Sequence, residues 1–136
     1  MTERKLFVNL PVRDLKTSME FFSSLGFEFN KQFTDDKGAC MVVSDTIYVM
    51  LLTREFFGTF TNKPVADAHA TLEAITCLSL DSRDAVDDIH AKALKAGAKS
   101  AGDPQDYGFM YSRAFEDLDG HQWEFVHMSG EPDQAG

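Results

Sequence analysis

Cysteine is scarce in this chain. Two occur in 136 residues, Cys40 and Cys77, far apart in apolar stretches and without a CxxC pair. That spacing argues against a disulfide scaffold or thiolate zinc site, and the thiols read as reduced, buried groups of a cytoplasmic protein. Basic residues are also few: 13 Lys+Arg stand against 22 Asp+Glu, a net charge of −9. With no Lys/Arg stripe to interrupt the acid, a phosphate backbone is repelled, so nucleic acid is not an expected partner. The acid favours solubility and a cationic ligand instead. No apolar run approaches membrane-spanning length, and Met1-Thr-Glu-Arg-Lys5 leads straight into a strand-like segment, so neither a membrane span nor a signal sequence is expected. Phosphate-cradling GxGxxG and GxxxxGK[ST] are missing, as is the nucleophile elbow GxSxG. The four histidines, His69, His90, His121 and His127, form no HxH or HExxH spacing, and His90 is expected to face solvent among Asp87, Asp88 and Lys92.

What is present is apolar mass: 43% of residues are hydrophobic and twelve are Phe. That is enough for one packed domain over 1–136, since chains of this order bury about two thirds of their unfolded surface. Leu6–Val12 alternates as a strand, with Phe7 and Asn9 on its less apolar face. Asp14 caps a helix from Leu15 to Leu25, which Gly26 closes. Strands are predicted over Phe27–Phe33, Ala39–Ser44 and Thr46–Thr53, and a connector with one helical turn over 54–70. The order then repeats: a strand over Ala74–Leu80, a helix from Asp81 or Ser82 to Ala96 closed by Gly97, and strands over Ala98–Ala101, Tyr107–Glu116 and His121–Met128. Gly26 and Gly97 are 71 residues apart, so the pattern is βαβββ written twice. The expected fold is α+β: module one over about 5–53, module two over about 72–128, each a curved mixed sheet with a helix on its convex side, and a polar tail over 129–136.

These modules, together with Val12-Arg-Asp-Leu15, Met19-Glu-Phe-Phe22, Leu25-Gly-Phe27 and the closing Phe115-Glu-Asp-Leu-Asp-Gly-His-Gln-Trp-Glu-Phe125, resemble the vicinal oxygen chelate superfamily of glyoxalases, bleomycin-resistance proteins and extradiol dioxygenases. The resemblance implies a homodimer with a ligand pocket on each concave sheet. It also implies that metal-dependent members carry a His-type ligand on the first strand of each module and a carboxylate on the last. Here the corresponding positions are Phe7, Met50 or Leu51, Ile75 and Glu124, so only Glu124 matches. A rearranged pair, Glu73 with Glu124, is the remaining route to a metal.

Each candidate has a bland reading beside the functional one. Glu124 is a ligand-binding carboxylate or a sheet carboxylate paired with Arg113 or a lysine. Phe7 stacks on a ligand or fills the core. Asn9 orients a ligand or satisfies a strand end. Tyr111 and Arg113 lie on an aromatic strand edge, where Arg113 anchors an anion or neutralises Glu116 or Glu124. Phe56, Phe57 and Phe60 wall a pocket or cover an interface. The acids Asp81, Asp84, Asp87 and Asp88 suit the start of a helix. The expected ligand-binding set is therefore Phe7, Asn9, Met50, Tyr111, Arg113 and Glu124. The expected function is metal-free, cofactor-free binding of a small aromatic or cationic molecule, with a lyase-like or dioxygenase-like metal enzyme as the alternative.

Overall fold

The computed structural model describes residues 3–129. The expected tail lies, from residue 130 on, outside the described residues. Between Ala66 and Asp67 the chain divides into two compact units.

The first unit contains β1 (Leu6–Val12), α1 (Leu15–Ser24), β2 (Glu28–Asn30), a 3₁₀ turn (Lys31–Phe33), β3 (Gly38–Val42), β4 (Ile47–Thr53) and α2 (Arg54–Gly58). Asp14 caps α1 by accepting from the Thr17 N–H at 3.1 Å. Leu15, Phe21, Phe22 and Leu25 are buried. Burying a side chain of that size contributes roughly 1.5–3 kcal/mol, so this stripe, rather than helix propensity, fixes α1. The strand order is β1-β4-β3-β2, with β1 parallel to β4 and the other pairs antiparallel. β2 stops at Asn30, short of the predicted Phe33. The Asn30 side chain accepts from the Gln32 N–H at 3.0 Å and its carbonyl accepts from the Thr34 hydroxyl at 2.8 Å. Those local bonds curl the chain away from the ladder.

The second unit contains β5 (Ile75–Ser79), α3 (Arg83–Lys95), β6 (Lys99–Ser100), β7 (Gln105–Asp106), β8 (Met110–Glu116) and β9 (Gln122–Met128). Its sheet runs β5-β9-β8-β6, and β7 also pairs with β8. Ser82, not Asp81, caps α3, accepting from the Ala85 N–H at 3.0 Å. Trp123, Phe115, Phe125 and Val86 are almost wholly buried where α3 packs on β8 and β9. β8 begins at Met110 rather than at the predicted Tyr107, because Tyr107–Phe109, with Gly108 at φ +82°, form the turn that joins it to the short β7.

Two expectations are corrected. His90 is 2% exposed and faces inward beside Phe115, because its position on α3 falls on the buried stripe of Val86, Ile89 and Ala93. Cys77 is exposed rather than buried, because its parity on β5 places it on the face away from α3.

Candidate functional site

Strand alternation divides each sheet into a face under helix and an open face. In the first unit, Met41, Val49 and Leu51 are buried, while the pairings Phe7↔Tyr48, Asn9↔Met50, Met50↔Cys40 and Cys40↔Asn30 fill the other face. This fixes the register left open in the sequence: Met50, not Leu51, faces outward from the core. The open face forms a hollow of about 520 Å³ lined by these residues, with Lys5 and Phe33 at its margin.

Its wall is aromatic and ordered. The Phe7 and Tyr48 rings stack with centroids 4.9 Å apart and planes 12° from parallel. The Tyr48 hydroxyl donates to the Asp45 carbonyl at 2.9 Å, which tethers the ring. Phe7 is nonetheless 50% exposed, presenting a flat apolar face to whatever enters. The Lys5 ammonium lies 5.8 Å from the Tyr48 centroid. Cys40 is buried in the floor, and burial pushes its thiol pKa up, so it is an apolar lining group rather than a nucleophile. Tyr48, Lys5 and Asn30 are absent from the sequence-predicted set. Once Met50 is known to face the hollow, Tyr48 follows two residues earlier by alternation; the β1–β4 pairing that sets it against Phe7 has no sequence signal.

In the second unit, Trp123 and Phe125 pack beneath α3 and Glu124 points the other way, as the alternation implies. A smaller hollow of about 290 Å³ is bordered by Glu124, Gln122, Ser112, Gln105 and Asp103. Its neighbour Cys77, opposite Glu124 in the β5–β9 register, has a raised thiol pKa, from desolvation first and the Glu124 charge second. Arg113 contributes to the wall, but its guanidinium turns to the helix side, 3.5 Å from Asp87. The expected pairing of Arg113 with Glu116 or Glu124 is thereby replaced. Tyr111 shares that side and donates to Asp87 at 2.5 Å, a bond that raises its own pKa. Phe7, Asn9 and Met50 therefore line one hollow and Glu124 another, while Tyr111 and Arg113 present their polar ends to α3. The connector residue Phe56 packs edge-on against Phe60, at 5.0 Å.

A divalent metal would need imidazole or carboxylate donors converging on one point. The positions that the superfamily uses hold Phe7, Met50, Ile75 and Glu124, and only the last can donate to such an ion. Among the described residues, no three His, Cys, Asp or Glu side chains gather as a metal-binding group. At the superfamily positions the chain thus supplies a divalent ion with one donor, Glu124.

The first unit is βαβββ, the second repeats that order with one short strand, β7, added, and each leaves one sheet face open. The family model described as Glyoxalase/Bleomycin resistance protein/Dioxygenase superfamily matches residues 6–125, and the chain belongs to that superfamily. No curated protein matches the chain in sequence. Among solved structures, a hypothetical protein from S. aureus is similar at 25% identity and a TM-score of 0.78, over 93% of this chain and 95% of that one. A glyoxalase/bleomycin resistance protein/dioxygenase family enzyme from Burkholderia phytofirmans PsJN is 16% identical, with a TM-score of 0.74 over 90% and 96% of the two chains. The fosfomycin resistance protein FosX from Listeria monocytogenes is 16% identical, with a TM-score of 0.68 over 98% of each. Among the described residues no helix is long and apolar enough to cross a membrane.

Proposed function

We propose that this chain is a metal-free cytoplasmic binding protein that sequesters a small aromatic molecule in the hollow of its first unit, and that it works as a homodimer. The observation that carries the reading is the stacked Phe7–Tyr48 pair, half-exposed above a 520 Å³ space with Asn9 and Met50 beside it. A large apolar surface left open on a folded protein marks a binding face, and flat rings favour a flat partner. The exposed free thiol of Cys77 fits a reducing compartment. The competing metal-dependent lyase or dioxygenase has Glu124 on its side and no second donor at a superfamily position.

A thermal-shift panel of small aromatics tests this. Ligand at 100 times its Kd adds about 2.7 kcal/mol to the native state, which raises the midpoint by roughly 8 °C. The account expects at least one aromatic to do this in the wild type, with the shift greatly reduced in Phe7→Ala. A panel in which nothing shifts the midpoint contradicts it.

A further inference from the structure

The composition, at a net charge of −9, points toward a cationic ligand. The hollow does not. We infer that the molecule held there is a planar aromatic acid, a fused or substituted ring bearing a carboxylate or an equivalent anion. The inference rests on the binding reading above and names its ligand class.

Three observations carry it. The first is charge. Among the described residues, Lys5 is the only charged one lining the hollow. Its ammonium lies 5.8 Å from the centre of the Tyr48 ring, which itself stacks on Phe7, so the hollow's positive charge stands beside its aromatic wall. Glu28 shares the open face, but it sits on β2 beyond Val42 and does not line the hollow. The more distant acids are screened over a Debye length of about 8 Å at physiological ionic strength, whereas a contact at Lys5 is not.

The second observation is the hydrogen-bond inventory. The Asn30 side-chain oxygen already accepts from the Gln32 N–H, and its NH2 makes Asn30 a donor to a ligand as well. Asn9 uses one N–H on the Phe7 carbonyl at 3.3 Å and retains a second. The Tyr48 hydroxyl proton is committed to Asp45. The acceptors beside these donors, the Asn9 amide oxygen and the Tyr48 hydroxyl, are neutral; among the described residues the lining holds an ammonium and no carboxylate, so an anion finds a counter-charge there and a cation does not. The third is shape. The rings are 12° from parallel, and the remaining lining by Met50 and Cys40 is apolar, which suits a slab rather than a branched or polyhydroxylated molecule.

The test is isothermal titration calorimetry with three probes of one ring system: 2-naphthoate, 2-naphthylmethanol and 2-naphthylmethylammonium. In the wild type, 2-naphthoate is expected to bind about fivefold tighter than either of the others, the upper range for an exposed ion pair. That margin is expected to disappear in Lys5→Met and to shrink with added salt, while Phe7→Ala weakens all three probes about threefold to tenfold. Lys5 and Phe7 are both exposed, so neither change removes core packing. Equal affinities, a preference for the ammonium, or a naphthoate preference that survives Lys5→Met overturns the inference. If, in those cases, Phe7→Ala still weakens binding, the hollow stands as a binding site of another specificity. If no probe binds, both the inference and the reading beneath it fall.

Discussion

Asp117 illustrates how one side chain can hold a whole turn. It is 6% exposed, and its carboxylate accepts from the Trp123 Nε1–H at 3.0 Å, the Asp119 N–H at 2.9 Å and the His121 N–H at 3.0 Å. Burial raises its pKa, against the lowering influence of His121 and of the Trp123 bond. The same turn brings Gly120 (φ +86°) against backbone: a Cβ there would lie 2.6 Å from the His69 nitrogen. Asp117→Ala removes the carboxylate that accepts from the buried Trp123 N–H and from two turn N–H groups, and a loss of about 2–4 kcal/mol is expected, read as a lower urea midpoint with an unchanged slope. A loss below about 0.5 kcal/mol would show that the carboxylate is dispensable. The segment Asp117-Leu-Asp-Gly120 was legible in the sequence as a turn. That its first Asp holds the core tryptophan was not, because the bond joins residues whose approach depends on the tight pairing of β8 with β9.

At the scale of elements, α3 is fastened to its sheet by polar groups as well as by Val86, Ile89 and Ala93. Arg83 donates twice to Asp106, each bond 2.8 Å, and holds that carboxyl at about 2. Tyr111 and Arg113 meet Asp87, and Arg113 lies close enough to His90 to oppose its protonation. His90 Nδ1 and Arg113 Nε are buried without a hydrogen-bond partner, while His90 Nε2 lies 3.3 Å from the Ser100 hydroxyl. Desolvation first, and Arg113 second, depress the His90 pKa below its ordinary 6.5. The unfolded chain therefore takes the proton before the folded one. Stability is complete above pH 6.5 and falls as the pH drops through that value, until the folded His90 also protonates. His90→Leu is expected to flatten the stability profile between pH 7 and pH 5, measured by urea unfolding; an unchanged slope would contradict this. The order of the longer elements and the Asp14 cap were readable from capping residues and apolar spacing, since those signals are local; the α3 cap was narrowed to Asp81 or Ser82, and β7 was not foreseen. The helix-side position of Tyr111 and Arg113 was not, because a one-residue change of strand phase exchanges the faces, and nothing in Tyr107–Glu116 announces the break at Gly108.

For the whole molecule, the repeated βα-then-strands pattern and the superfamily scaffold were legible, and so were Phe7 and Asn9 as residues of one strand face, whereas Met50 was left open against Leu51. Lys5 shares their strand face by alternation, but that Tyr48 and Asn30 stand beside them depends on which strands pair, a non-local fact. β1 and β5 stand at the ends of their sheets' strand orders and carry exposed Leu6 and Ile75, apolar side chains of the kind that a second copy would cover. Sedimentation equilibrium at micromolar concentration is expected to give twice 15.2 kDa, and a monomer alone would refute the dimer. The central claim, aromatic binding without a metal, is tested most directly by calorimetric titration of 2-naphthoate into protein purified without chelator, before and after EDTA treatment. The account predicts the same affinity in both samples, a loss of about threefold to tenfold in Phe7→Ala and no loss in Glu124→Ala. Binding that disappears with EDTA or in Glu124→Ala, and survives Phe7→Ala, would contradict it.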